Sequence, residues 1–187
     1  VVMIYGGPGY QTVTNAWQAN LLWNHLADRG VAVFQLDNRG TPGRGSAFET
    51  ALYGHVGEVE LIDQIAGLDA LAKLPFIDAS RVGMFGGSYG GTMTLVSLLK
   101  APDRFKVGVA GAPVTDFQLY DSGYTERFLG LPGANKKVYE ATDLTKLAPN
   151  LKGKLLLIHG MMDENVHFQN TALFVDALIQ ANKRFDM

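Results

Sequence analysis

The sequence contains no cysteine. That absence removes disulfides, thiolate nucleophiles and zinc–thiolate sites, and leaves the compartment open, because secreted proteins can also lack cysteine. Charge is scarce and balanced: 16 Lys and Arg against 18 Asp and Glu give a formal net charge of −2. Lys136-Lys137 is as long as a run of like charge becomes. Nothing here points to nucleic acid or an anionic membrane surface as a partner. Long apolar runs are missing too, so neither a signal peptide nor a membrane-spanning helix is expected. No repeat or low-complexity segment occurs. What remains is 187 residues, 47% hydrophobic, the composition and length of one globular α/β domain with a real core.

Short β-branched and apolar runs alternate with helical patterns along the chain. Val1–Tyr5 reads as a buried strand broken by Gly6-Gly7-Pro8-Gly9. That glycine loop lacks the Lys and Ser/Thr of a phosphate-binding loop, and suits an oxyanion-donor loop better. Asn15–Arg29 carries Trp17, Leu21, Leu22, His25 and Leu26 at helical spacing, with Gly30 as a stop. Val31–Leu36 is a second strand, and the glycine-rich stretch 37–57 reads as a long surface loop. Over 58–74 a helix is expected, with Val59, Ile62, Ile65, Leu68 and Leu71 on its apolar face and Pro75 ending it. Strands at Arg81–Phe85, Phe105–Ala110 and Leu155–Ile158 follow, with helices over Thr92–Leu99 and Phe168–Ala181. Residues 115–150 read as irregular. This order predicts a mainly parallel sheet with helices on both faces. Val1 and Met187 both fall inside expected strands, so the chain reads as a piece of a longer protein.

The chemistry centres on Gly86-Gly87-Ser88-Tyr89-Gly90-Gly91. A strand, a G-x-S-x-G turn and a helix in that order form the setting of a nucleophile elbow, which thrusts a serine hydroxyl out at the top of a sheet. A serine needs a base, itself oriented by a carboxylate. The loop after Leu155–Ile158 offers Asp163 and Glu164 as the acid; either could instead be a helix N-terminal charge. The base is the gap. His25 falls in an expected helix, His55 in the long loop, and His159 and His167 sit too close to the acid, so all four read as packed or solvated. The base is therefore expected beyond Met187. His159 and His167 lack metal-ligand spacing, and no metal is expected.

Four ordered motifs resemble the prolyl oligopeptidase family of serine peptidases: Ile4–Gly9, Leu36–Thr41, Gly86–Gly91 and His159–Phe168. Ala112–Phe117 with Tyr120–Arg127 is similar to its dipeptidyl peptidase IV branch. The resemblance spans essentially the whole chain and implies an α/β-hydrolase fold. It implies Ser88 as nucleophile, Asp163 rather than Glu164 as acid, and an oxyanion hole of the Tyr5 hydroxyl and the Tyr89 backbone N–H. It further implies that Tyr89, Val114, Phe117, Tyr120, Tyr124 and Val166 enclose the residue before the scissile bond, with Asn165 on the substrate backbone. By this likeness the full-length protein carries an upstream β-propeller and a catalytic histidine about thirty residues past Asp163. It would release N-terminal Xaa-Pro or Xaa-Ala dipeptides without a cofactor, as a homodimer; the likeness favours a periplasmic or secreted setting and leaves the cytoplasm open. The same fold also serves acylaminoacyl-peptidases, esterases and non-catalytic binding domains. Two positions depart from the family pattern: Gly87 and Phe117 stand where tryptophan is common. The first implies altered packing at the elbow.

Overall fold

The computed structural model describes residues 1–187. Four parallel strands, β1 (Val2–Met3), β2 (Gly83–Gly87), β3 (Val107–Gly111) and β4 (Lys154–Ile158), form one sheet in chain order. Single bridges extend it at both edges, from Val2 to Phe34 and from Leu156 to Asp186. Phe34 is all of the expected Val31–Leu36 strand that pairs. The register sets Gly87 beside Gly111 and Gly111 beside Ile158, so β2, β3 and β4 end level with one another. Every strand points the same way, so every loop that follows a strand emerges at one edge. In open parallel sheets that edge is where sites form.

The helix α4 (Tyr89–Lys100) leaves β2 at once and is buried from Tyr89 to Leu99. Its apolar residues run all round, the pattern of a helix enclosed by protein. Met93, Leu95, Leu98 and Leu99 are at most 1% exposed, and each contributes about 2 kcal/mol over an exposed position. Burial across the sheet is uneven. Met84, Ala110, Leu155 and Leu157 are at most 2% exposed, whereas Phe85, Val107, Leu156 and Ile158 on the alternate face keep 36–53%.

Several expectations are corrected. The first helix, α1 (Leu21–Ala27), is short and buries no residue; Trp17 is 89% and Leu21 83% exposed. Its spacing was helical, but an apolar stripe is buried only where something packs on it. The glycine-rich stretch 37–57 is not all surface loop. Asp37, Asn38, Thr41, Leu52 and Val56 are buried, and α2 (Ser46–Glu49) and a 3₁₀ turn (Thr50–Leu52) lie within it. In α3 (Val59–Leu71) the buried residues are Glu60, Leu61, Gln64 and Leu68, while Ile62 is 59% exposed. Counting apolar residues misplaced that face, because two polar side chains occupy it. Residues 115–150 are mostly helical: α5 (Ser122–Leu129), α6 (Lys136–Thr142) and 3₁₀ turns at Phe117–Leu119 and Leu144–Asn150. Asp116, Asp121 and Asp143 start three of these by accepting a backbone N–H two or three residues on. The last helix, α7 (Gln169–Gln180), matches its expected span closely.

Candidate active site

Ser88 sits between β2 and α4 with φ 55° and ψ −123°. A non-glycine residue in that region is strained by about 1–3 kcal/mol and persists only when its surroundings over-determine it. They do so here. Ser88 N–H donates to the Gly111 carbonyl at 2.8 Å, and Thr92 N–H donates to the Ser88 carbonyl at 3.0 Å. Backbone also passes within contact of both flanking glycines. A Cβ on Gly90 would lie 2.1 Å from the Ile4 carbonyl oxygen, and one on Gly86 would lie 2.5 Å from the backbone of Gly90. Glycine is demanded at both sites by space. Gly87 is different: nothing lies within 4 Å of its Cβ position, so the missing side chain leaves the elbow's packing intact.

Two donors flank the serine. Tyr89 opens α4, where a backbone N–H has no intrahelical acceptor. Tyr5 follows β1 and is half-buried, its ring 6.1 Å from that of Tyr89 and 5.0 Å from that of Tyr10. Burial, then the neighbouring phenols of Tyr120 and Tyr10, push its hydroxyl above the usual phenol range. It stays a neutral donor. The turn after Tyr5 is pinned from beneath: the Asn38 amide donates to the Gly6 carbonyl at 2.9 Å, and Gln64 of α3 donates to Asn38 Oδ1 at 3.0 Å.

A small pocket opens beside Ser88, walled by Tyr5, Tyr89, Val114, Phe117, Tyr120 and Tyr124. Each wall is fixed by a local device. Thr92 Oγ1 of α4 accepts the Val114 N–H and donates to its carbonyl, both at 2.9 Å. Tyr120 and Tyr124 straddle the capping Asp121 and meet edge to face at 5.4 Å. Burial raises both of their phenol pKa values. Tyr120 O–H donates to Asn165 Oδ1 at 3.1 Å, tying this wall to the loop after β4.

In that loop Asp163 Oδ1 accepts the N–H groups of Asn165 at 3.0 Å and Val166 at 2.9 Å. Its Oδ2 lies 3.6 Å from His159 Nε2. The His159 side chain is 0% exposed. Its Nε2 meets the Val166 carbonyl and its Nδ1 the Thr171 hydroxyl, both at 2.7 Å. A hydrogen on Nε2 satisfies the carbonyl, leaving Nδ1 to accept from the hydroxyl. Val166 is 1% exposed and Glu164 is exposed with no side-chain bond. Asp163 is thus the ordered carboxylate of the two, and His159 a loop brace. His25 bonds Arg29 and His55 bonds Glu58. No histidine bonds Ser88.

Sequence reasoning missed the polar face of α3. Arg39 makes a two-pronged pair with Asp63, at 2.7 Å for Nη2 to Oδ1, and Glu60 accepts from Tyr89. It also missed Asn170 of α7, which accepts the Thr115 N–H at 2.9 Å and steadies the segment immediately after Val114. Isolated Asn, Gln and Glu residues inside helical patterns carry no sequence signal of burial. No group of three His, Asp or Glu side chains could hold a metal ion, and no helix is long and apolar enough to cross a membrane.

Comparison with known proteins points one way. The profile of the prolyl oligopeptidase family matches residues 16–187. Dipeptidyl peptidase 8 of Homo sapiens is 42% identical over all of this chain, which covers 22% of that protein. Dipeptidyl peptidase family member 1 of Caenorhabditis elegans is 40% identical, with 23% of its length covered. The crystal structure of Porphyromonas gingivalis dipeptidyl peptidase 4 superposes with a TM-score of 0.93 at 44% identity, over 100% of this chain and 26% of the other. The chain therefore spans about a quarter of the length of these relatives.

Proposed function

Since this chain belongs to the prolyl oligopeptidase family, with its α/β-hydrolase fold, we propose that it carries the nucleophile, acid and oxyanion hole of a serine peptidase that releases N-terminal dipeptides. The observation that carries the reading is the strained Ser88 set in the wall of a compact apolar pocket. Ser88 Oγ gives its proton to the base and attacks the carbonyl carbon of the peptide's second residue. The peptide C–N bond breaks, and the rest of the peptide leaves as an amine protonated by that base. Water then hydrolyses the ester on Ser88 to free the dipeptide. Tyr5 O–H and Tyr89 N–H receive the negative charge on the tetrahedral oxygen; one such donor is worth about 3–4 kcal/mol of transition-state stabilisation. Tyrosine suits the task because it stays protonated at working pH. The aromatic walls fit a proline or alanine side chain, rigid or small and apolar, and Asn165 contacts the substrate backbone.

Asp163 orients the base. The base itself is a histidine outside residues 1–187: His25, His55 and His159 bond other partners, and no histidine bonds Ser88. The full-length protein, with that histidine and an upstream β-propeller, is the active species and forms a homodimer; residues 1–187 alone are inactive.

The test uses the full-length protein. A fluorophosphonate probe labels it, and Ser88→Ala abolishes labelling. Xaa-Pro chromogenic substrates turn over faster than acyl-amino-acid or short ester substrates. No labelling sinks the serine-hydrolase reading, and a preference for acyl-amino acids or esters replaces the dipeptidyl peptidase reading alone.

A further inference from the structure

Glu60 is the buried acid that the reaction does not use. It is 0% exposed, on the inward face of α3. A carboxyl in such a place is unfavourable by several kcal/mol unless it is hydrogen-bonded. It has two donors: the Tyr89 hydroxyl on Oε1, and the Gly57 N–H on Oε2 at 2.9 Å. Burial raises the Glu60 carboxyl above the usual range and the Tyr89 phenol well above its own, so the phenol keeps its proton and donates.

The partner of this acid is no ordinary core residue. Tyr89 is adjacent to the nucleophile, opens α4 and forms a wall of the pocket. Its ring is wedged between the loop after β1 and the 3₁₀ turn at Phe117. A Cβ on Gly7 would lie 2.7 Å from the Tyr89 ring, and the rings of Tyr5 and Phe117 are 6.1 and 6.3 Å away. Apolar packing surrounds the ring, and the bond to Glu60 is the one directional contact its hydroxyl makes. Only Glu60 holds that end.

We infer that Glu60 is a positioning residue for specificity: by tethering the Tyr89 hydroxyl it fixes one wall of the pocket, and with it the size of the side chain the pocket admits. This rests on the reading of the pocket as the site for the residue before the scissile bond. A carboxylate is suited because one side chain accepts from two donors at once. An apolar residue strands both donors. Glutamine accepts one cleanly and turns its amide hydrogens toward the other, which only the rotatable Tyr89 hydroxyl can accommodate.

The experiment compares Glu60→Met, which removes the tether, Tyr89→Phe and their double variant in the full-length protein, with two readouts. Glu60→Gln, whose amide still bonds the Tyr89 hydroxyl, is the conservative variant expected to retain most of the discrimination. The first is the ratio of kcat/KM for proline against leucine before the scissile bond, a quantity that a merely structural loss of folded protein does not move. It falls about tenfold in Glu60→Met and in Tyr89→Phe, as about 1.4 kcal/mol of lost discrimination requires, and no further in the double. The second is chemical denaturation, where the double variant loses less stability than the sum of the singles. An unchanged ratio in Glu60→Met with a fallen ratio in Tyr89→Phe overturns the inference, and so do additive stability losses. Should Glu60→Met fail to fold, Tyr89→Phe tests the tether from its other end, and an unchanged ratio there overturns it equally. The denaturation cycle does not depend on catalysis, so failure of the peptidase reading, seen as absent probe labelling, is distinguishable from failure of the tether.

Discussion

At Ser88 the backbone does the holding, and at Asp163 side chains do it. The elbow is fixed by main chain lying against main chain: Gly90 beneath the Ile4 carbonyl, Gly86 against Gly90, Ser88 N–H on Gly111. The Asp163 loop is fixed by a buried imidazole that joins Val166 to Thr171, and by a carboxylate that accepts two N–H groups of its own loop. The first arrangement tolerates no added atom at its contacts. The second tolerates volume but not loss of a partner. The proposed nucleophile has to be held in one strained conformation, whereas the proposed acid has only to be presented to a base, and the two constructions suit those proposed roles.

Substitutions that separate steric from hydrogen-bonded control sharpen this contrast. The largest effect belongs to Gly90→Ala. Alanine favours a helix interior by about 1 kcal/mol, yet its Cβ would meet a backbone oxygen at 2.1 Å. Overpacking against main chain, which cannot move aside, outweighs that gain, and a net loss of about 4 kcal/mol or more is expected in chemical denaturation. Stability close to that of the natural protein would mean the elbow is far softer than its geometry.

Next is Tyr5→Phe, which keeps the ring and removes the proposed oxyanion donor. The expected result is a kcat about 10²–10³-fold lower with KM little changed, or about 3–4 kcal/mol of transition-state stabilisation. A rise in KM alone would make Tyr5 a binding wall and nothing more. His159→Ala tests the other region. It strands the Val166 carbonyl and the Thr171 hydroxyl and should lower stability by about 2–3 kcal/mol, with faster hydrogen exchange confined to the loop around Asp163. Exchange that quickens equally at Ser88 would show that the two regions are braced together. The smallest effect is that of Gly87→Ala, whose Cβ meets nothing within 4 Å. A change within about 0.5 kcal/mol is expected.

Much of the site was legible before any coordinates. The elbow could be read because its glycines answer to a backbone requirement that few sequences meet by chance. Asp163 stands out by its place after β4, and its role as acid stays a proposal. Tyr89, Val114, Phe117, Tyr120 and Tyr124 do meet beside Ser88 as the motif likeness implied, whereas Val166 is not among those walls. The α3 face could not. Its apolar spacing pointed to Ile62, which is exposed, and away from Glu60 and Gln64, which are buried and bonded to Tyr89 and Asn38. The helices of 115–150 escaped notice because their starts are set by Asp116, Asp121 and Asp143, caps that resemble ordinary loop aspartates in a stretch rich in Gly and Pro.

By itself the sequence determined the order of the four parallel strands with α3, α4 and α7, the turn that carries Ser88, and the family to which the chain belongs. These follow from local rules: periodicity, glycine where backbones touch, and residue types that the chemistry needs. Only the tertiary structure decided which polar side chains go inside and what they hold. A buried Glu60 or His159 is stable only when its partners arrive from elsewhere in the chain, 29 residues away for Tyr89 and 12 for Thr171. A one-dimensional pattern does not contain that meeting.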